Sequence, residues 1–420
     1  MKVAIFAEGF IGWSGGRDLI ATIADGLEAS DQVDTVLLIT EYSLSDKFLG
    51  RIKDFIKSKG NWGYFRKLYT GRAANEKLLK TNESLLIEVF RACSPDTKIV
   101  KYMYSANRFM NTRTKKLKEY VQKNGIDIIM PQTEVADEDI GIPVVGYLYD
   151  FQHKYLLDFF SQEERAVRDR NFERQIEKSR YLVVDAEDVK KDIYKFFPDY
   201  KGKVIVLPFK PFQTLELEEQ ADLGRYELPE KYYVICNQFW IHKSHRLAFA
   251  ALEKIFNGGH QDIHLVCTGK MEDNRFPQYI QELKEYLSGL NCKDNIHLTG
   301  FIPKKDQLQI MDRAIALVQP TLFEGGPGGG SVRNALCLGV PCIVSDIKVN
   351  QEITGYENVY FFQANNADDL ADVMLEHIHD KHLDRETVKR KVVRNKQEYA
   401  DELLSQLLEI IDDYKKAEVE

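Results

Sequence analysis

The sequence of 420 residues lacks the marks of several large protein classes. No apolar run approaches the ~18 residues that a bilayer-spanning segment needs. The opening MKVAIFAEGF predicts a first β-strand, because it has neither the long apolar region nor the small-residue cleavage site of a signal peptide. The six cysteines include no CxxC pair, which predicts buried thiols of a reducing compartment and not a disulfide framework. We therefore expect a cytoplasmic protein.

Acidic residues are scarce in two stretches of the chain. Residues 51–80 hold nine basic and two acidic residues, and residues 101–123 hold seven and one. Trp62, Tyr64 and Phe65 are interleaved with the first basic set. Such a surface suits an anionic membrane or a phosphate-bearing acceptor, and a solvated helical face is the simple alternative. No nucleic-acid partner is predicted.

The sequence does contain a regular alternation of strand and helix signals, which is typical of doubly wound α/β proteins. KVAIFA, the glycine-rich GWSGG, a helical repeat and VDTVLLIT form one βαβ unit. A polar stretch bounded by prolines interrupts the rhythm before it restarts at YYVICNQF. The sequence therefore predicts two Rossmann-like domains facing across a cleft, at 1–207 and 208–390. An amphipathic C-terminal helix, 391–420, is expected to dock on the body.

A glycine-rich loop between an apolar strand and a short helix carries the chemistry. In GGPGGG, residues 325–330, five of six residues are glycine. Such a loop exposes backbone N–H groups beside the positive end of a helix, where an anion binds. We expect Ser331 to be the N-cap of that helix. Glu324 at the loop mouth repels phosphate but accepts hydrogen bonds from sugar hydroxyls, each worth roughly 1.5–3 kcal/mol. Together these groups predict a nucleotide-sugar site.

Two other kinds of phosphate-binding loop are alternatives to a nucleotide-sugar site. The Walker pattern is absent, because no Gly-Lys-Ser/Thr follows the glycines. A dinucleotide fingerprint is a nearer rival, since Gly326, Gly328 and Ser331 approximate GxGxxG and Asp346 follows at a suitable distance. The serine at the third position and the short helix count against it.

The segment from Gly300 to Asp346 resembles the donor-binding region of retaining glycosyltransferases of family 4, which have the GT-B fold. Phe323-Glu324-Gly325 and Gly339-Val340-Pro341 are the motifs that carry the resemblance, which extends in order and spacing over nearly the whole chain. It implies that Glu324 holds hydroxyls of the donor sugar and acts at the catalytic centre, while the loop binds the diphosphate. The donor-binding residues implied here are Glu324, Gly325, Gly326, Gly328, Gly329, Ser331 and Asn334.

The sequence also departs from the family pattern. Asn334 stands where a second glutamate usually binds the ribose, so donor affinity or identity is expected to differ. After the first strand of the second domain, Lys243 is expected to meet the diphosphate and His242 to assist it. The usual arginine nearer the strand is absent, and Asn237 or Gln238 takes its place.

The first domain supplies the rest of the predicted site. Gly15 and Gly16 resemble the N-terminal loop that faces the donor phosphate and the acceptor. In GYLYDFQHKY, either Asp150 or His153 is the expected base for the acceptor hydroxyl; His153 as a packed core residue is the alternative.

The predicted function is therefore retaining transfer of a hexose-type sugar from a nucleotide-diphosphate donor to an acceptor hydroxyl. The acceptor is expected to be a glycan or lipid-linked molecule of cell-surface polysaccharide assembly. Neither a metal ion nor a cofactor is expected. Two alternatives remain open: a weakly active partner subunit of a transferase, suggested by Asn334, and another nucleotide-sugar enzyme such as an epimerase.

Overall fold

The computed structural model describes residues 1–42, 78, 80–104, 113–133, 140–215, 217, 223–273 and 275–417. Most of the basic stretch 51–80, and the part of 101–123 between 104 and 113, lie outside the described residues. None of the described helices is long and apolar enough to cross a bilayer.

The first domain is built on a seven-stranded parallel sheet. Its strands are β1 (Lys2–Phe6), β2 (Asp34–Tyr42), β3 (Lys98–Tyr104), β4 (Ile128–Gln132), β5 (Val144–Tyr147), β6 (Tyr181–Val184) and β7 (Lys203–Val206). Its helices are α1 (Ser14–Leu27), α2 (80–93), α3 (Arg113–Asn124), α4 (Gln152–Tyr155), α5 (Gln162–Lys178) and α6 (Glu187–Phe196). The strand order is β3-β2-β1-β4-β5-β6-β7. The interior strand β1 is buried on both faces, as its unbroken apolar run requires.

The second domain repeats the plan with six parallel strands. They are β8 (Tyr232–Cys236), β9 (His264–Thr268), β10 (Ile296–Gly300), β11 (Leu317–Gln319), β12 (Cys342–Ser345) and β13 (Val359–Phe362). Its helices are α7 (His245–Asn257), α8 (Tyr279–Ser288), α9 (Lys304–Arg313), α10 (Gly329–Leu338) and α11 (Ala367–Glu376). The strand order is β10-β9-β8-β11-β12-β13. The predicted pair of Rossmann-like domains is confirmed.

A long last helix, α12 (Arg385–Ala417), follows the second domain. Its first residue contacts the second domain, because Arg385 Nη1 donates a hydrogen bond to the carbonyl of Leu338 at 3.2 Å. Further along, Tyr399, Leu403 and Leu407 are buried in the hydrophobic core of the first domain. The helix therefore packs against both domains.

The two domains meet at the carboxyl ends of their sheets. A carboxylate of the second domain, that of Glu352, accepts hydrogen bonds from the backbone N–H groups of Glu187 at 2.9 Å and Asp188 at 2.7 Å. These N–H groups open α6, where they have no partner within the helix. Val349 packs into a cluster of first-domain residues that includes Phe151. The loops that follow the strands are thereby brought face to face.

Candidate functional site

The glycine-rich loop enters its helix through two left-handed residues. Gly328 has φ +61° and Gly329 has φ +63°, a region in which residues with a Cβ are strained. The helix α10 begins at Gly329, with Gly328 as its N-cap residue. The prediction of Ser331 as the N-cap is therefore wrong, because the glycines turn the chain into the helix three residues earlier. The Ser331 hydroxyl instead donates to Gln319 Oε1 at 3.3 Å.

Glu324 is held at the mouth of this loop by a charged partner. Its Oε1 lies 2.5 Å from Lys243 Nζ, and the two side chains are 10% and 12% exposed. Gln319 Nε2 donates to the same oxygen at 2.9 Å. A Cβ on Gly329 would come 3.3 Å from Oε2, so the second carboxylate oxygen lies against the start of α10. The structure thus joins two residues that are far apart in sequence and were both predicted to bind the donor.

A buried amide network supports Glu324 from behind. Asn237 Nδ2 donates to Gln319 Oε1 at 2.5 Å, and Gln319 Nε2 also donates to the carbonyl of Gly328 at 3.3 Å. Asn237 was predicted to contact the donor, yet its amide here orients Gln319. Gln319 was not predicted. Its signal in the sequence was a polar residue at the carboxyl end of a buried parallel strand.

A second buried amide fixes the loop backbone. Asn350 is fully buried; its Oδ1 accepts a hydrogen bond from the N–H of Gly328 at 2.9 Å, and its Nδ2 donates to the carbonyl of Ser345 at 2.9 Å. Asn350 was also missed, because it lies in an irregular segment without a motif. Asn350 thereby links the backbone of the glycine-rich loop to the end of β12.

Two glycines of the loop face the first domain at very short range. A Cβ on Gly325 would lie 2.8 Å from the carbonyl oxygen of Tyr149 and 3.2 Å from the Cβ of Asp150. A Cβ on Gly326 would lie 3.1 Å from the Cβ of Asp185. The absence of side chains therefore lets the loop approach two acidic residues across the cleft.

Asp150 is the predicted base that the structure places in this cleft. Its Oδ1 accepts a hydrogen bond from the N–H of Gln152 at 2.9 Å and lies 3.4 Å from Arg168 Nη1. One carboxylate oxygen thus has two donors, and the other points toward the position of a Gly325 side chain, at 3.5 Å.

Asp185 is a second cleft acid, which the sequence analysis missed. Its Oδ2 accepts a hydrogen bond from the Tyr147 hydroxyl at 2.6 Å. Its Oδ1 is buried and has no partner among the described residues. Burial raises the pKa of the Asp185 carboxyl group. Burial also raises the pKa of the Tyr147 hydroxyl well above its usual value, and the neighbouring Asp185 carboxylate adds to that effect. The signal was the aspartate that ends the strand YLVVD.

His153, the other predicted base, lies in an aromatic core. It is fully buried, and its ring packs against Phe160 and Phe172. Its Nε2 lies 2.9 Å from Asp169 Oδ1. Burial lowers the pKa of His153. The structure thus presents Asp150, and not His153, to the cleft.

His242 contributes its backbone to the site. Its carbonyl accepts a hydrogen bond from the N–H of Leu322 at 2.8 Å, which ties the turn after β8 to the loop. Its ring is buried, and burial lowers its pKa to about 2. His242 was predicted to assist the phosphates as a donor; the structure instead buries its ring and places Lys243 at the carboxylate.

The remaining predicted residues lie at helix positions. Gly15 and Gly16 are in the first turn of α1, where a Cβ would come 2.7 Å and 2.5 Å from atoms of the Trp13 ring. They make room for an indole that is 45% exposed. Asn334 lies in the middle of α10 and is partly exposed.

The two facing Rossmann-like domains are the GT-B fold, and solved structures of low sequence identity share it. HepE from Anabaena, in complex with UDP and glucose, has a TM-score of 0.54 at 14% identity, covering 99% of each chain. Sucrose-phosphate synthase from Thermosynechococcus elongatus has a TM-score of 0.58 at 12% identity, covering 100% of this chain and 99% of that one. The lipopolysaccharide outer core galactosyltransferase WaaB in its apo form has a TM-score of 0.55 at 13% identity, covering 97% and 100%. At such identities the likeness establishes the fold.

Sequence comparison adds a match in the second domain. Residues 218–394 match the family model "Glycosyl transferases group 1". That range contains the glycine-rich loop, Glu324 and Lys243. A search of curated protein sequences with this chain returned no match.

Proposed function

We propose that the protein is a retaining glycosyltransferase that moves a hexose-type sugar from a nucleotide-diphosphate donor to an acceptor hydroxyl. The observation that carries the proposal is the ion pair of Glu324 and Lys243 at the mouth of a glycine loop, opposite Asp150. The match of the second domain to the glycosyl transferases of group 1 supports it.

The donor would bind to the second domain in two parts. Its diphosphate would lie on the N–H groups at the start of α10, where the helix dipole favours negative charge, with Lys243 as a counter-ion. Its sugar hydroxyls would donate to the Glu324 carboxylate, which Gln319 and Lys243 hold in place. Glycine at 325 and 326 leaves that space free of side chains.

Departure of the diphosphate builds negative charge on its oxygen atoms, which the loop amides and Lys243 stabilise. In the same step the acceptor oxygen forms a bond to the anomeric carbon, and its proton passes to a base. The Asp150 carboxylate faces the loop and is proposed for that role. In retaining transfer of this kind the acceptor attacks the face from which the diphosphate leaves, and no protein nucleophile is needed.

The acceptor is proposed to be a lipid-linked or surface glycan, met at the cytoplasmic face of a membrane. One similar structure is that of a lipopolysaccharide outer core galactosyltransferase. In this chain α3 presents exposed Lys115, Lys118 and Lys123 to solvent, with Glu119 as an acid beside them. A basic helix of this kind is attracted to anionic lipids. No metal ion or cofactor is proposed to take part.

Binding tests the donor part of the proposal. The chain would be screened by thermal shift against the sugar conjugates of UDP, GDP, dTDP, CDP and ADP and against NAD, together with Glu324→Ala and the exposed control Glu376→Ala. At ~100-fold excess over Kd, a ligand stabilises by about 2.7 kcal/mol. We expect one nucleoside diphosphate sugar to stabilise the protein and Glu324→Ala to reduce that effect, while the control leaves it unchanged. Stabilisation by NAD alone would indicate an oxidoreductase, and no stabilisation would indicate a partner subunit.

The stereochemistry needs a separate measurement. With the donor identified, NMR of the first product formed would give the configuration at its anomeric carbon. The proposal requires the configuration of the donor; the opposite configuration would exclude retention but not transfer.

A further inference from the structure

Two arginines from opposite domains share one aromatic ring at the cleft. The guanidinium carbons of Arg168, in α5, and of Arg275, in the segment after β9, each lie 4.7 Å from the centroid of the Phe160 ring. Both side chains are partly buried, with 27% and 19% exposed. A cation over an aromatic face is attracted to it, which explains how the ring holds both groups in place.

The pair borders the site described above. Arg168 Nη1 lies 3.4 Å from Asp150 Oδ1. Arg275 Nη1 donates to Gln152 Oε1 at 3.3 Å, and its guanidinium lies 5.8 Å from the Trp240 ring. Trp240 opens the turn that ends in Lys243. The two guanidinium groups therefore contact the proposed base and the tryptophan that opens the turn carrying Lys243.

Carboxylates of the described residues accompany this pair: Asp150 lies 3.4 Å from Arg168 Nη1, and Asp273 and Glu164 act on Arg275. The nearest carboxylate to Arg275 is that of Asp273, at 3.9 Å from Nε. The oxygen atoms of Asp273 already accept hydrogen bonds from the N–H groups of Ile241 and of Arg275 itself, each at 3.0 Å. Burial lowers the pKa of the Arg275 guanidinium, the carboxylate of Asp273 opposes this shift, and Arg168 acts in the same direction as burial. Among the described residues the Arg168 side chain donates only to Asp150 and that of Arg275 only to Gln152, so most N–H groups of the two guanidinium forks are open to an anion.

We propose that Arg275 and Arg168 together bind a phosphate group of a ligand in the cleft. The planar fork of a guanidinium matches phosphate oxygen atoms, and one fork from each domain would tie ligand binding to closure of the cleft. The phosphate belongs to one of two sources: the diphosphate of the donor, or a phosphate on the acceptor. The choice of ligand rests on the proposed transferase function, whereas phosphate binding by the pair does not.

The test uses inorganic pyrophosphate as a probe that requires no knowledge of the donor. Its affinity for the full-length protein would be measured by calorimetry and by intrinsic tryptophan fluorescence, to which Trp240 contributes. The variants are Arg275→Gln, Arg168→Gln and Arg275→Lys, with Arg394→Gln as the control, since Arg394 lies exposed on α12 and pairs with Glu398. Each charged hydrogen bond to a phosphate contributes enough to predict about a tenfold to hundredfold weaker binding in each Gln variant. Arg275→Lys should lose less, and Arg394→Gln should bind as the original chain does.

Two results would overturn the inference: no binding of pyrophosphate by the original chain, or equal affinity in that chain and in both Gln variants. A merely structural role is separated by a second ligand, the uncharged nucleoside of the best-binding diphosphate. If Arg275→Gln weakens the nucleoside and its diphosphate by the same factor, the arginine holds the domains and does not bind phosphate. Melting temperatures of the variants, taken without ligand, show that each is folded.

The source of the phosphate is decided by competition. If saturating nucleoside diphosphate abolishes the arginine-dependent pyrophosphate binding, the pair serves the donor. If that binding persists beside the nucleoside diphosphate, the pair serves a phosphorylated acceptor. A chain that binds pyrophosphate through the arginines but binds no nucleoside diphosphate would refute the proposed function while leaving this inference standing.

Discussion

Replacing Lys243 by methionine should destabilise the protein through the charge that it leaves behind. The Glu324 carboxylate would keep one described donor, Gln319 Nε2 at 2.9 Å, and would lose the ammonium group at 2.5 Å. Breaking a buried ion pair by removing one partner costs about 3–5 kcal/mol. Because these side chains are 12% and 10% exposed, water relieves part of that cost, and we expect a loss of ~2–3 kcal/mol.

The double variant Lys243→Met/Glu324→Gln separates a stabilising pair from a pair kept for binding. With both charges replaced by neutral groups of similar shape, stability should return to within about 1 kcal/mol of the original chain. Urea unfolding of the original chain, both single variants and the double variant gives the coupling free energy. Donor binding should stay lost in the double variant. Equal destabilisation of Lys243→Met and the double variant, with no coupling, would refute the reasoning.

Two more predictions concern single side chains. Burial lowers the pKa of His245 from 6.5 to about 3. Between these two values the unfolded chain binds a proton at this residue and the folded chain does not. The free energy of unfolding should therefore be at its maximum above pH 6.5 and fall as the pH drops toward 3. His245→Phe should flatten that acid limb in melting temperatures taken across the range, and an unchanged limb would argue against it. Gly325→Ala should abolish transfer at nearly unchanged melting temperature, because its Cβ would come 2.8 Å from the carbonyl oxygen of Tyr149 and hold the cleft open. Gly330→Ala, whose Cβ would meet no atom within 4 Å, is the matched control and should stay active.

The parts of the site that the sequence predicted follow from local rules. Glycines between a buried strand and a helix predict an anion-binding loop, and a carboxylate among them predicts a ligand with hydroxyls. Lys243 was found because it follows the first strand of its domain, and parallel strands bring their carboxyl ends to one edge. The alternation of strands and helices predicted the two domains, because a strand that is followed by a helix returns as a parallel neighbour in the same sheet.

The missed residues depend on contacts between distant segments. Arg275 reaches the cleft only because the second domain closes on the first, and Asp185 faces Gly326 only in that arrangement. Gln319 and Asn350 act through buried amides, which no motif marks. His153 shows the opposite case: its neighbours in sequence suggested a base, whereas the aromatic side chains that α5 and its preceding loop pack around it made it a core residue.

The packing of α12 has a consequence for biosynthesis. The core of the first domain includes Tyr399, Leu403 and Ile411, which are made about two hundred positions after its last strand, β7. During synthesis the first domain leaves the ribosome before these side chains are made. The apolar groove along α1, which they fill, stays open until then. The second domain, whose strands and helices are complete by then, can fold before the first is finished. The domain that is made first is therefore the last to complete its hydrophobic core. Its open apolar groove is the surface at which a chaperone would be needed.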